Sequence, residues 1–415
     1  MTVTQDVRLS AERTASLDEP RLLRGRLPEP LRRRTAAELL REVEASGLTG
    51  RGGAAFPTHR KMAGVLSMPA PRIVVGNGAE GEPASDKDKT LLTTNPHLVL
   101  DGLQVAATIL GADHAYIYLH DERTVTAAVA RALAARREEG VEELPVQVVT
   151  APARFVSGEE SAVVSRISGT DALPRSKPPR VFEQGAFGRP TLVQNVETLA
   201  HLGYIARFGA DQFRAVGAPD QPGTMLFTLS GAVRRPGVIE APVGVGLDEL
   251  IEAAGGASTH LQAVLLGGYH GSWVRWPEAR SLVMANSALR PHGLSVGAGV
   301  VVLFPADACG PGEVTRVLDY LAEESAGQCG PCVFGLPALA DAYHDLVAGK
   351  RPQSRISRLR ELPALLERRG ECSHPDGTLR FLRSAQSVFG EHLAQHRRRS
   401  CVSSRRTPVL PIPTD

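Results

Sequence analysis

The sequence predicts an open, mostly parallel α/β sheet, followed by a compact β-rich module and a helical C-terminal region. Three observations carry that reading. Short β-branched runs alternate with helix-length segments over the first part of the chain, the pattern of parallel strands joined by crossover helices. After about Phe208 the texture changes to short strands around one helix. From Glu313 onward apolar residues recur at helical spacing. At 415 residues the chain exceeds one ordinary core, so roughly two to four domains are expected. The boundaries read as an extended arm over 1–32, an α/β domain over 33–215, a β-rich module over 222–305, a helical domain over 313–396 and a tail over 397–415.

Taken in order, Arg33–Ala45 has helical spacing through Leu39, Leu40 and Val43 and stops at Gly47. Ile73–Val75 fits a buried strand, as do Ala115–Leu119 and Val146–Val149, with helices over His97–Leu110 and Thr124–Arg137. Pro190 and Thr191 read as the opening of a further helix, since proline suits a first helical turn. The β-rich module shows strands at Met225–Ser230, Gly237–Glu240, Ala263–Leu266 and Ser272–Val274 around a helix at Leu247–Ala254. Four helices follow, Val314–Glu324, Leu336–Val347, Ile356–Arg368 and Leu379–His396. The tail is basic and then Pro-rich, and reads as solvated and disordered.

Composition excludes several classes. With 47 basic against 45 acidic residues, nothing points to a nucleic-acid partner. No apolar run approaches the ~20 residues of a membrane-spanning helix, and the Arg-rich N-terminus has no signal-peptide core. Only five basic residues are lysines, Lys61, Lys87, Lys89, Lys177 and Lys350, which makes each one informative. The five cysteines, Cys309, Cys329, Cys332, Cys372 and Cys401, crowd into the last quarter. An odd number at one end argues against a disulfide framework and for a metal or cluster site in a reducing, cytoplasmic compartment.

Four segments carry chemistry. Gly50-Arg51-Gly52-Gly53-Ala54-Ala55-Phe56-Pro57-Thr58, with Lys61 beyond, is a turn whose glycines let backbone lie against a planar or phosphorylated ligand. Gly76-Asn77-Gly78-Ala79-Glu80-Gly81-Glu82-Pro83 follows a predicted strand, and open α/β sheets bind ligands beyond their strands' carboxyl ends. The others are Ser157-Gly158-Glu159-Glu160-Ser161-Ala162 and Arg189-Pro190-Thr191-Leu192-Val193-Gln194-Asn195-Val196-Glu197-Thr198. Each alone also reads as a surface loop or helix cap.

In this order and at these spacings the four closely resemble the NADH-binding flavoprotein subunit of respiratory complex I, a family that also supplies the diaphorase subunits of NAD-linked hydrogenases and formate dehydrogenases. The resemblance runs from about Leu48 to Gly390. It implies an FMN-binding α/β domain, a β-grasp (ubiquitin-like) insert and a C-terminal four-helix iron–sulfur domain. It further implies hydride transfer from NADH to FMN, then single-electron transfer through the cluster to a partner. That partner would be a small ferredoxin or a thioredoxin-like 2Fe–2S subunit, within a larger redox complex. No thioredoxin-like domain is expected ahead of the flavin domain.

Carried over residue by residue, the resemblance assigns the flavin to Gly50, Arg51, Gly52, Gly53, Lys61, Asn77, Glu80, Phe155, Gly158, Glu159, Glu160, Gln194, Asn195 and Thr198. The nicotinamide nucleotide falls to Glu82, Lys177 and Phe56, with Glu82 and Glu80 as the side chains tuning catalysis. Departures are Ala79 for an aspartate, Phe155 for a tyrosine, Gln194 for an asparagine, and Gly64 and Arg180 for phenylalanines. Arg180 would suit a 2′-phosphate, which leaves NADPH open beside NADH. The cluster motif reads Glu324-Ser325-Ala326-Gly327-Gln328-Cys329-Gly330-Pro331-Cys332, with Cys372 later. Ala326 stands at the first ligand position and cannot coordinate iron. Cys329, Cys332 and Cys372 would then hold a 4Fe–4S cluster completed by His374, Cys309 or a small exogenous ligand, or a 3Fe–4S cluster, or none. Cys309 and Cys401 otherwise read as ordinary thiols. The departures also motivate a second reading, a non-catalytic scaffold that keeps the fold.

Overall fold

The computed structural model describes residues 35–350, 353–396, 401, 403–405 and 407–413. The predicted arm over 1–32 lies outside the described residues.

Four parallel strands form the first sheet: β1 (Arg72–Asn77), β2 (Ala112–His120), β3 (Val146–Ala151) and β4 (Thr191–Asn195), in the order β3-β2-β1-β4. The sheet is central to two apolar layers, so the interior of β1 is buried on both faces and reads as a continuous apolar run. Val74 stands opposite Ala115 of β2 and Leu192 of β4. Helices α1 (Ala36–Ser46), α2 (Thr58–Leu66), α3 (Lys87–Thr94), α4 (Pro96–Leu110), α5 (Arg123–Glu138), α6 (Glu160–Ile167) and α7 (Val196–Arg214) surround it. Thr35 and Glu38 close a reciprocal capping box on α1, which ends at left-handed Gly47. Helices α4 and α7 touch backbone to backbone. A Cβ at Gly102 would fall 1.7 Å from the Leu199 carbonyl, so only glycine permits the approach.

The helix expected from Pro190 starts later. Thr191–Asn195 is strand β4 at the sheet edge, and α7 begins at Val196 with Asn195 as its cap, its side chain accepting from the Glu197 N–H at 3.0 Å. Pro190 precedes an edge strand, where its missing N–H leaves no ladder bond unmade.

The second sheet has five strands, β5 (Thr224–Gly231), β6 (Gly237–Pro242), β7 (Leu261–Leu266), β8 (Ser272–Arg275) and β9 (Val300–Pro305), in the order β8-β7-β9-β5-β6. Its central pair, β9 and β5, runs parallel and the outer pairs antiparallel, with α8 (Leu247–Ala253) against one face. This is the β-grasp arrangement. The central strand β9 is absent from the sequence-based reading.

The other face packs on the C-terminal helices α9 (Gly310–Glu323), α10 (Leu336–Val347), α11 (Gln353–Leu366) and α12 (His374–His396). Trp273 joins the layers, with its ring edge-on to Phe304 at 5.1 Å and to Phe389 at 5.0 Å. The tail departs from expectation. Leu410 is buried, the Val409 and Leu410 N–H groups donate to the Glu313 carboxylate at 3.2 and 3.0 Å, and the Tyr269 hydroxyl donates to the Pro411 carbonyl. Apolar residues among the prolines give this segment something to bury, so it docks. Among the described residues no helix is long and apolar enough to cross a membrane.

Candidate functional site

The glycine-rich turn between α1 and α2 is closed by two backbone bonds, Gly50 N–H to Phe56 O and Thr58 N–H to Leu48 O, both 2.9 Å. Ala55 lies in the left-handed region at φ 50°. The Arg51 N–H donates to Thr198 Oγ1 at 2.8 Å, while the buried guanidinium donates to the carbonyls of Thr224 (3.1 Å) and Pro222 (3.0 Å). Arg51 and Thr198 therefore fix the turn to α7 and to the second sheet.

The loop after β1 folds over the carboxyl ends of the strands. Asn77 donates from Nδ2 to the Gly158 carbonyl at 2.8 Å and accepts from the Ala79 N–H at 3.2 Å. Glu80 turns onto the start of α3, where its carboxylate accepts from the N–H groups of Lys87, Asp88 and Lys89 and from the Ser85 hydroxyl. Glu82 accepts from the Tyr269 N–H at 2.7 Å and the Ala84 N–H at 3.2 Å. A Cβ at Gly268, whose φ is +83°, would sit 2.4 Å from that carboxylate, so glycine lets Glu82 reach the second sheet's loop. Burial raises both acids to about 7. For Glu80 the repulsion from Asp88 adds to burial, against Lys87 and the hydrogen bonds. For Glu82 burial outweighs the two N–H donors.

Behind this loop lies a buried charge network that the sequence did not disclose. The Lys87 ammonium meets Asp88 Oδ1 at 2.6 Å and Glu197 Oε2 at 2.9 Å, with all three side chains excluded from solvent. The carboxylates of Asp88, Glu197 and Glu80 hold Lys87 above its ordinary pKa in spite of its burial. Asp88 Oδ2 accepts from Asn195 Nδ2 at 2.7 Å, and Glu197 Oε1 accepts from the Leu226 N–H at 2.8 Å. The scarcity of lysine was the available signal for Lys87.

The third segment enters α6. Glu159 caps it, accepting from Ser161 N–H at 2.8 Å and Ala162 N–H at 3.1 Å, while its other oxygen accepts from Lys177 at 2.9 Å. Lys61 donates to Glu160 at 3.1 Å and to the Val193 carbonyl at 2.7 Å. Although burial opposes it, Lys61 and then Lys177 hold the Glu160 carboxyl below its usual range. Gln194 is buried, with Nε2 3.4 Å from Thr58 Oγ1.

These loops enclose a cleft of about 310 Å³, at the lower end of the range for small-molecule sites. The structure brings Gly52, Asn77, Glu80, Glu82, Phe155, Gly158, Glu159 and Asn195 to its wall, together with Cys372. It does not bring Gly50, Arg51, Gly53, Phe56, Lys61, Glu160, Lys177, Gln194, Thr198, Cys329 or Cys332 there. Phe56 stands 53% exposed. His270 and His374 also line the cleft, and no sequence motif marks them as wall residues. The cleft is polar and rich in carboxylates, with Glu80, Glu82, Asp88 and Glu159 on its wall. Gly52, Gly81 and Gly158 and the amides of Asn77 and Asn195 also line it, and Asn195 is the cap of α7.

The cluster motif lies beside it. Cys332 sits in a wide helical turn, Pro331–Gly335. Burial, with Cys329 and then Cys372 nearby, pushes its thiol up to about 12. Such thiols become ligands when a metal displaces the proton. Neither protein group considered for the fourth ligand is free for it. His374 has Nε2 2.7 Å from the Leu321 carbonyl and Nδ1 3.0 Å from His270 Nε2. Cys309 caps the opposite end of α9 from the motif. Phe155 ties the two regions, its ring 4.7 Å from His270 and 5.5 Å from His374.

Comparisons with known proteins agree with this geometry. Residues 43–203 match the Nuo51 FMN-binding domain, 226–264 the SLBB domain, and 313–396 the NADH-ubiquinone oxidoreductase-F iron–sulfur binding region. An F-type subunit of NADH-quinone oxidoreductase from Rhizobium meliloti is 32% identical over 389 residues, which is 90% of this chain and 91% of that one. The corresponding F-type protein of Streptomyces coelicolor is 31% identical over 86% of this chain and 83% of its own. Among solved structures, an NAD+-reducing [NiFe]-hydrogenase in the H2-reduced state superposes with a TM-score of 0.83 at 30% identity. The match covers 90% of this chain and 64% of the hydrogenase chain.

Proposed function

The chain belongs to the F-type family of NADH-quinone oxidoreductase subunits, FMN- and iron–sulfur-dependent NADH oxidisers, and on that premise we propose roles for its cleft residues and its partner. The single observation that supports them is the placement of Cys372, a candidate cluster ligand, in the wall of the same cleft as Asn77, Glu82 and Asn195.

Bound FMN supplies the step that turns a two-electron donor into one-electron traffic, and the protein supplies binding, orientation and electrostatics. Asn77 and Asn195 orient the ring, each anchored by its own hydrogen bond, to Gly158 and to Asp88. Glu82 stands on the nicotinamide side, held by the Tyr269 and Ala84 N–H groups, and Glu80 steadies the loop through the start of α3. Lys61 and Lys177 stand behind the wall, where their pairing with Glu160 and Glu159 fixes the start of α6. Phe56, exposed on the turn, offers a stacking face for adenine, worth ~1–3 kcal/mol. Cys329, Cys332 and Cys372 hold the cluster, with its remaining iron position met by a small exogenous ligand or left as a three-iron form. NADH is the donor, with NADPH the variant that Arg180 would favour.

The partner is a small ferredoxin or a thioredoxin-like 2Fe–2S subunit in a larger redox complex. It docks beside Cys332, where Val333 and Phe334 stand 42% and 75% exposed. The isolated, flavin-replete chain should reduce ferricyanide with NADH and reduce quinone or cytochrome c slowly. Fast quinone reduction by the chain alone would defeat the partner assignment. No ferricyanide reduction with either nucleotide would favour the scaffold reading.

A further inference from the structure

We propose that Cys309, His392, His396 and Cys401 form a structural zinc site, distinct from the iron–sulfur motif, that clamps the C-terminal tail to the helical domain. Their four ligand atoms lie within 4.8 Å of one another. His396 Nε2 is 3.1 Å from Cys309 Sγ, and His392 Nε2 is 3.7 Å from Cys401 Sγ. A tetrahedral zinc with Zn–S of ~2.3 Å and Zn–N of ~2.0 Å needs ligand–ligand edges of about 3.3–3.8 Å. The observed separations bracket those edges, so a modest inward adjustment completes the shell.

Each ligand is positioned by a separate feature. His392 and His396 are four residues apart on α12, which puts both rings on one face, 5.3 Å between centroids. His396 Nδ1 faces the Val347 carbonyl at 3.1 Å, the outer bond that fixes a metal-binding imidazole and leaves Nε2 free for the ion. Cys309 caps α9, its sulfur accepting from the Gly312 N–H at 3.3 Å, which sets the sulfur at the start of that helix. Two thiolates and two imidazoles in a tetrahedral array are a standard structural zinc set, and the metal content of the purified protein separates zinc from iron. Binding replaces two thiol protons by one Zn²⁺, so the site is neutral once filled.

The site is separate from the cluster motif. Cys309 opens α9, whereas Cys329 and Cys332 follow its far end, and a helix of 14 residues spans ~21 Å. His392 and His396 likewise close α12, whereas Cys372 precedes it. Beyond Cys401 the chain is held by Arg405 on Asp307 and then by Leu410 on Glu313. The ion therefore ties down the start of a strap that ends against Tyr269 of the second sheet.

The test uses the full chain, purified under reducing, anaerobic conditions, with zinc, iron and flavin measured on the same samples. Wild type should hold about one zinc per chain. His392→Asn and Cys401→Ser should lose most of that zinc while keeping flavin and iron, and Cys329→Ser should do the reverse, losing iron and keeping zinc. A readout independent of any variant is alkylation of Cys401, which the structure leaves exposed. Zinc should protect it, and a chelator should restore its reaction. Absence of zinc from wild type, zinc retained in both variants, equal alkylation with and without zinc, or a Cys309–Cys401 disulfide in the reduced protein would each overturn the proposal.

Discussion

Replacing Lys87 with methionine probes the framework under the cleft. Lys87→Met keeps the stem's volume and removes the ammonium that neutralises Asp88 at 2.6 Å and Glu197 at 2.9 Å. Both carboxylates are nearly inaccessible to water, at 6% and 0% side-chain exposure. Removing one partner of a buried charge network leaves uncompensated charge and costs about 3–5 kcal/mol. At ~2–4 °C per kcal/mol for domains of 150–250 residues, the unfolding midpoint should drop on the order of 10 °C. The effect should reach the ligand, because Asp88 holds Asn195 and Glu197 holds the Leu226 N–H. Flavin per chain should fall together with the midpoint. Lys87→Met/Glu197→Gln should recover part of the loss, because it removes one of the stranded charges. Thermal unfolding followed by flavin and tryptophan fluorescence reads all three. A midpoint within ~2 °C of wild type, with flavin content unchanged, would refute the electrostatic reasoning.

Glu80 and Glu82 both titrate near 7, so the cleft gains negative charge between about pH 6 and 8 and should bind an anionic dinucleotide less well. KM for NADH should therefore rise across that window, less steeply in Glu82→Gln; a pH profile identical in the variant contradicts the assignment. The same raised values mean the two carboxyls favour folding most below the ordinary carboxylate pKa, a contribution lost as pH rises through about 7. Ala326→Cys should supply the missing thiolate and slow oxygen-driven loss of iron several-fold, read by iron content over time. Unchanged loss would mean that position 326 does not face the cluster.

The parallel sheet was legible because β1 and β2 are buried apolar runs separated by helix-length segments. Strand β9 carries the same signal, a β-branched apolar run over Val300–Phe304 buried throughout, and is missed because no helix-length segment or turn motif sets it apart. Thr191 is ambiguous in sequence because proline followed by threonine opens helices and edge strands alike, and only the pairing with β1 decides. Of the predicted site residues, Gly52, Asn77, Glu80, Glu82, Phe155, Gly158, Glu159 and Asn195 reach the cleft, whereas Arg51 and Thr198 serve it from behind by holding the turn. The network of Lys87, Asp88 and Glu197 joins residues more than a hundred positions apart, and no local pattern announces it. The tail's docking was equally hidden, because its composition is that of a solvated end while Leu410 and Glu313 meet only in three dimensions.

The most direct measurement is an anaerobic absorption spectrum of the purified chain before and after NADH, followed by acid release of the flavin. The protein should be yellow, with flavin bands that bleach with NADH, and should release FMN rather than FAD, since residues 43–203 match an FMN-binding domain. A colourless protein, FAD in the extract, or FMN that neither NADH nor NADPH bleaches would contradict this reading.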